Sequence, residues 1–580
     1  FLRPRRFGKS LWLSTLMNYY DIAKTDDFER LFGHLAIGQN PTPSHNSYMV
    51  MKWDFSGVES HGSIQEIRQS LYDHINEEIA NFAEDYAELL RSTVRIHPDN
   101  ALSSFSSVVS AVRRSRHKLY LFIDEYDNFA NEVMMVPKEL DKVETSVHRD
   151  RYLQLVSGEG LLKTLFKKIK TAGSGAGMDR LFITGVSPIL MNDMTSGPNV
   201  NEDITWLPYF NDLCGFTEPE VHSIVDRMVE ADQLPADKVA EVMGLLRNFY
   251  NGSRFVTFYY GNPEEKDTIQ NAPKIYNPIS TFYFLRHIQR FGQYPEDMMD
   301  SNLAPDYNKL IYISGYTKGQ TLMEDALDDE KMVAITTLND RWGVLQILDA
   351  EQQKERLAGL LCYLGGLTIV GRQSDAKLRL EIPNLIMRKL YAERILKLTF
   401  TTADKLDNAS IAANQLFTRG NIEPLCTFVA KHLLEIYDNR DIKHINELTF
   451  KTLFIALLAQ NNLYIMDSEP AIRRRYGDLI MMIRPEMRHY AVFDLLIEFK
   501  YVRYTDLKVG QHIPDGDEVR KMSKDDLLAK SAVKRAFNDA KKQLQDYRKT
   551  LTDVYGNALK LRTYTVVAVG VDLLLHEEVD

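Results

Sequence analysis

Apolar residues at Leu13, Leu16, Met17 and Tyr20 recur at intervals of three and four, a stripe that predicts an amphipathic helix opening at Ser10. Further on the pattern turns into short apolar runs of strand type at residues 48–54, 119–123 and 180–186, with a long helical pattern over residues 63–90. Strands that alternate with helices predict a parallel α/β sheet. Between about 215 and 400 the pattern is mainly helical, broken by YNGSRF at 250–255 and YNPIS at 276–280. The pair LCYLGGLTI and LRLEIPN reads as a hairpin after a helix, either a winged-helix unit or a helical lid carrying one hairpin. From about 430 a helix over 447–458 leads to a hairpin at 476–483 and 489–502. A helix follows with Val533, Phe537, Ala540, Leu544 and Tyr547 on one face, then a strand over 563–571, giving the order α-β-β-α-β.

These changes of pattern predict an α/β multidomain protein. Residues 1–280 form a sheet domain, 281–425 a helical, winged-helix-like region and 426–580 a second α/β core. A length of 580 residues agrees, since one hydrophobic core stops growing well before that. Apolar content of 44% with 26% charge describes an ordinary globular chain, and no uncharged run approaches the ~20 residues that span a bilayer. The three cysteines lie far apart without metal-ligand spacing, which points to an intracellular chain with no zinc or disulfide framework. A net charge of −10 offers no global attraction to nucleic acid, so DNA contact would rest on local basic patches.

Charge and composition leave two constellations to carry chemistry. Gly8-Lys9-Ser10 opens the first helix, where free N–H groups and the helix dipole favour a phosphate. In that reading Lys9 reaches the β- and γ-phosphates of ATP and Ser10 holds Mg²⁺. The strand ending in Asp124-Glu125 would supply the metal ligand, Asp124, and a residue to polarise water, Glu125; the alternative is a strand that merely ends in an acidic cap. Thr184 and Ser187 are candidates to sense the γ-phosphate, or turn hydroxyls without a role. Arg254 is a candidate arginine finger, in cis or from a second subunit, or a surface arginine. Asp127 reads first as a surface loop carboxylate, the alternative being that it joins the acidic cluster of Asp124 and Glu125.

RPRRFGKS, LFIDEYD, FITGVS, LCGFTEPEV, YNGSRF and YNPIS, in that order, resemble the P-loop family called AAA-ATPase-like. The resemblance implies a nucleotide-binding fold and makes the absent first glycine of the loop a family trait, since the motif there reads RPRRFGKS. Arg3 and Pro4 do not adopt positive φ as glycine does, so nucleotide binding is implied more firmly than hydrolysis. Arg3, Arg5 and Arg6 would either replace backbone contacts to phosphate or face a partner chain. Only Phe1 and Leu2 precede the loop, so a fragment beginning inside its own ATPase core is expected, with weak ATP binding in this form.

The second constellation is Glu498-Phe-Lys500, whose period of two puts Glu498 and Lys500 on one strand face, with Asp478 on the preceding strand and Glu447 on the helix before it. Such a set suits a divalent ion and a water attacking a phosphodiester; alone, Glu-x-Lys reads equally as a charged solvent face. The segment resembles the PD-(D/E)xK nuclease-like domain found after the ATPase in the same family. Asp478, Glu498 and Lys500 match its motif, and Glu447 and Gln543 match its helical positions. Asp494 shares the strand face and could be confused with the motif aspartate. Arg473-Arg-Arg475, Lys541, Lys542 and Arg548 would contact DNA phosphates or form a solvated face. The expectation is an ATPase coupled to a Mg²⁺-dependent, DNA-acting nuclease-like domain, with self-association possible and no membrane partner. The alternative is a non-catalytic, nucleotide-switched nucleic-acid-binding or scaffold protein.

Overall fold

Three strands, β1 (Tyr48–Asp54), β2 (Lys118–Asp124) and β3 (Met178–Ile183), form a parallel sheet in the order β1-β2-β3. The computed structural model describes all residues except 60–61, 129–149, 151–152, 157–159, 174, 176, 191–201, 258–267, 300–309, 311–312, 328–330, 339–353, 401, 437–446, 460, 467–478, 509–511, 557–558, 571–572 and 580. Residues 1–3 lie beside the end of β3: Leu2 bridges Gly185 in parallel, and Arg3 N donates to Gly185 O at 3.2 Å. The pairing Asp54↔Asp124 brings two strand ends to one edge of the sheet.

Both faces of this sheet are covered, as expected of parallel strands. Leu13 on α1 (Lys9–Tyr20), flanked by Leu16, Met17 and Tyr20, packs on Tyr48, Val50, Tyr120 and Phe122. The opposite face, Met49, Met51, Trp53, Leu121 and Ile123, packs under α2 (Ile64–Asp85) and α3 (Ala101–Ser115). Helix α2 starts where Ser63 and Glu66 form a reciprocal capping box. Helix α4 (Leu161–Gly173) leads into β3.

The middle of the chain is helical, with α5 (Glu218–Glu230), α6 (Val239–Tyr250) and α7 (Pro278–Phe291) around their own apolar cluster. The YNGSRF and YNPIS segments lie side by side: Ile275 N donates to Ser253 O at 2.8 Å and Asn277 N to Tyr250 O at 3.1 Å. Asn277 then caps α7, with Pro278 at the first turn, where its missing N–H costs nothing. Helix α8 (Thr317–Leu327) precedes β4 (Val333–Ile335), and α9 (Lys354–Leu364) precedes the antiparallel pair β5 (Thr368–Arg372) and β6 (Leu378–Glu381). Helices α10 (Leu385–Thr399), α11 (Ala403–Arg419) and α12 (Glu423–Ile436) complete this region.

The C-terminal segment begins with α13 (Glu447–Leu458), followed by β7 (Tyr464–Met466), β8 (Leu479–Ile483), β9 (Asp494–Val502), α14 (Ser531–Tyr555), β10 (Leu561–Val569) and β11 (Leu573–Glu578). The five strands lie in the order β11-β10-β9-β8-β7, with β9 and β10 parallel and the other pairs antiparallel. The sheet thus has two strands more than the pattern α-β-β-α-β. Both additions are edge strands: β7 has only three residues, and β11, LLLHEE, runs from apolar to charged without alternating. Val533 and Phe537 of α14 pack on Val502, and Leu544 and Tyr547 on Leu496 and Ile480, so the predicted stripe is the buried face. Phe454 of α13 meets Phe499 on the opposite face, ring centroids 5.0 Å apart. The fully buried Arg484 joins this segment to the helical region, donating to Glu296 O and Asn462 O at 2.9 Å and to Pro295 O at 2.8 Å.

Candidate nucleotide site

The loop before α1 turns at Arg6 (φ 67°) and Gly8 (φ 95°). Gly8 is the N-cap of α1, and its left-handed backbone lets the chain enter the helix without a Cβ clash. The left-handed residues are therefore not Arg3 and Pro4, where strain was expected; at Arg6 this conformation costs about 1–2 kcal/mol. Arg3 is fully buried and structural. Its Nη1 donates to Leu2 O at 2.9 Å and Thr205 O at 2.7 Å, its Nη2 donates to Phe210 O, and its guanidinium lies over the rings of Phe1 and Phe255. Burial pulls its pKa down to about 9, so it stays charged at neutral pH. Arg5 and Arg6 line a cleft of about 600 Å³, counting the part open to solvent, with Tyr250, Ser253, Asn277 and Asn384.

Lys9 turns inward. Its Nζ donates to Arg3 O at 3.1 Å and Pro4 O at 3.3 Å, and burial lowers its pKa against the opposing pull of Glu125, Asp127 and Asp124. Ser10 Oγ donates to Asp124 Oδ2 at 2.8 Å, Thr184 Oγ1 donates to Asp124 Oδ1, and Glu125 N donates to Asp124 Oδ1 at 3.0 Å. The loop, the end of β2 and the end of β3 thus meet at one fully buried carboxylate. Glu125 has φ 50°, and burial raises its pKa, with the Lys9 charge working the other way. A buried ammonium with two carbonyl partners suits an anion, and a carboxylate beside two hydroxyls is a hard-oxygen donor set of the kind Mg²⁺ takes.

Two neighbours correct the sequence reading. Asp127, read as a surface carboxylate, is fully buried and accepts from Val186 N at 3.1 Å, Ser187 N at 2.8 Å and Ser187 Oγ at 3.1 Å. Ser187 is held there instead of facing the Asp124 cluster. Arg254 points elsewhere too: its Nε donates to Ala272 O at 2.9 Å and its N–H to Thr368 Oγ1 at 2.8 Å, beside β5. The sequence reading passed over Asp54, whose place beside Asp124 depends on strand register. Lys52 Nζ and Ser56 Oγ donate to it at 2.8 and 2.7 Å. Burial pushes its pKa up, but these bonds and the Lys52 charge outweigh that and leave it below the usual carboxylate range.

In the C-terminal sheet Glu498 is buried, and Lys500 Nζ donates to its Oε1 at 2.9 Å. Thr565 stands opposite Glu498 in register, and its buried Oγ1 has no hydrogen-bond partner among the described residues. Asp494 is separated from this pair by its bonds: it accepts from Ile483 N at 2.8 Å and Lys560 N at 2.9 Å and pairs with Arg488 at 3.1 Å. Asp478 and Arg473-Arg-Arg475 lie outside the described residues, and of the Glu447 side chain nothing is described. Glu447 opens α13, whose Phe454 packs on the face opposite Glu498, and Gln543 is exposed on α14. Lys541 pairs with Glu577 at 2.7 Å, and Arg548 donates to Val579 O at 3.2 Å. Among the described residues no group of three or more His, Cys, Asp or Glu is placed to hold a metal ion, and no helix is long and apolar enough to cross a membrane.

A family profile described as a predicted AAA-ATPase matches residues 1–195, the stretch that holds Gly8, Lys9, Ser10, Asp124, Glu125 and Thr184. Arg254 and the whole C-terminal sheet fall outside the match. No curated protein and no solved structure matches the chain.

Proposed function

We propose that the protein is a Mg²⁺-dependent ATPase whose site is the Gly8–Lys9–Ser10 loop with Asp124, Glu125 and Thr184. The family match over residues 1–195 supports a nucleotide-binding ATPase. The observation that carries the residue-level reading is the convergence of Ser10 and Thr184 on Asp124 beside the buried Lys9. The N-terminus of α1 faces the phosphates, Lys9 neutralises the β- and γ-phosphates, and Ser10 and Asp124 would hold the ion. Bound there, Mg²⁺ supplies neutralisation of charge on the phosphate oxygens. Glu125 orients the attacking water and takes its proton as the new P–O bond forms and the β–γ bridging bond breaks; its raised pKa suits a general base. Phosphate release at millimolar ATP, with Lys9→Ala as the comparison, tests this. Release from the unsubstituted protein no greater than from that variant leaves the nucleotide-switched binding or scaffold reading in its place.

The buried Glu498–Lys500 pair, beside the Thr565 hydroxyl that has no partner among the described residues, favours a second reading for residues 426–580: a nuclease-like unit that acts on or binds DNA. A hydroxyl without a partner in a buried polar patch suits a further polar group there, and Glu498 and Asp478 would be the ligands of a divalent ion. In this reading residues 1–280 form the ATPase domain and residues 281–425 a helical lid or winged-helix-like region. Incubating supercoiled DNA with the protein and Mg²⁺ separates cleavage from metal-independent binding. Self-association is proposed with it and is read from the mass of the particle in solution.

A further inference from the structure

We infer that Asp127 is a positioning residue for the nucleotide site, holding the turn 184–187 so that Thr184 and the entry to the phosphate loop share one frame. This rests on the ATPase reading above. Asp124, Tyr126 and Asp127 are bonded to Thr184, Val186 and Ser187 of the facing turn. Thr184 Oγ1 donates to Asp124, Tyr126 N donates to Thr184 O at 3.2 Å, Tyr126 Oη donates to Ser187 O at 2.5 Å, and Asp127 receives the N–H groups of Val186 and Ser187. Gly185, in the middle, is where the loop is attached, through the Leu2 bridge and the Arg3 N–H. A Cβ at Gly185 would lie 2.5 Å from Asp127 Oδ1 and 2.6 Å from the Tyr126 ring, so the turn is pressed against the carboxylate.

The chemistry requires an aspartate. Three donors, two N–H groups and one hydroxyl, converge on Asp127, and a carboxylate is acceptor-only on both oxygens. An asparagine of the same shape would turn its amide N–H₂ toward one of these donors. Bonded to Val186 and Ser187, Asp127 acts through Thr184, which touches Asp124, and through Gly185, which carries the loop. Displacing reacting groups by a fraction of an ångström is costly in rate even where binding is little affected.

The test compares Asp127→Asn and the milder Ser187→Ala, which removes only one of the three donors, with the unsubstituted protein. The measurements are ATP turnover, ADP affinity by calorimetry and thermal unfolding. The expected result is kcat lower by about tenfold or more in Asp127→Asn and by about threefold in Ser187→Ala, with ADP affinity within about threefold. A kcat within twofold of the unsubstituted protein in folded Asp127→Asn overturns the inference, as does an ADP affinity that falls in step with kcat. If Asp127→Asn does not fold, Ser187→Ala decides: unchanged kcat there overturns the inference. No turnover in the unsubstituted protein removes the ATPase reading itself, a result distinct from these.

Discussion

Ser10 Oγ donates to Asp124 Oδ2 at 2.8 Å although the two residues are 114 positions apart. This contact joins the N-terminus of α1 to the end of β2 and sets the geometry of the proposed site.

Removing either partner therefore acts on turnover. Ser10→Ala and Asp124→Asn are expected to lower ATP hydrolysis by about 10²-fold or more, the scale for loss of one group that stabilises developing charge. Phosphate release at saturating Mg²⁺ measures it, and activity retained within threefold would count against both assigned roles.

Glu125 separates binding from hydrolysis. Glu125→Gln keeps the shape but removes the base, so ATP binding is expected to persist while turnover falls by about 10²–10⁴-fold. Fluorescent-nucleotide titration alongside a turnover assay distinguishes this from a general loss of the pocket, in which both would fall together.

Asp494 and Glu498 share one strand face yet have different expected phenotypes. Asp494→Ala leaves the Ile483 and Lys560 N–H groups and the Arg488 guanidinium without their shared acceptor, and is expected to destabilise by about 3–5 kcal/mol. Glu498→Gln is expected to spare the fold and abolish Mg²⁺-dependent DNA cleavage. Denaturant unfolding and a plasmid-nicking assay on each variant check the split; loss of cleavage without loss of stability in Asp494→Ala would reverse it.

Stability should also depend on Asp325, which accepts from Lys331 at 2.5 Å and from Lys354. Burial pushes its pKa up, but the two lysines outweigh that and hold it below the ordinary carboxylate value. A folded-state pKa below the unfolded one gives stability that is full above about pH 4 and is lost as pH falls through the folded value. Asp325→Asn is thus expected to lower Tm by about 2–4 °C at pH 7. The gap to the unsubstituted protein should close in strong acid; a gap independent of pH would show that the charge is not its source.

Much of the fold was legible locally. The stripe Leu13, Leu16, Met17 and Tyr20 is the face of α1 that meets the sheet, and Val533 through Tyr547 is the face of α14 that meets β9. The edge strands β7 and β11 were not legible, because three residues carry no period in β7 and LLLHEE in β11 does not alternate. Within the candidate site, the residue types and their placement at strand and helix ends pointed to Lys9, Ser10, Asp124 and Thr184. What those types could not say was what covers each side chain. Asp127 reads first as a loop carboxylate and Asp494 as a second candidate on the Glu498 face, and both are fully buried, each accepting two backbone N–H groups.

Sequence by itself determined the local conformations: period, capping residues and turn chemistry act over a few neighbouring positions, and they placed the motifs on helices, strands and turns. Tertiary structure alone decided which carboxylates gather at the loop before α1 and which tie down backbone N–H groups. It buried Arg3 under two rings, turned Arg254 toward Ala272, set the helix of Glu447 on the far face from Glu498, and aligned Asp54 with Asp124. The physical reason is that burial and hydrogen-bond closure are made between segments tens to hundreds of residues apart. A period of two tells which face a side chain takes and carries no record of what is packed against that face.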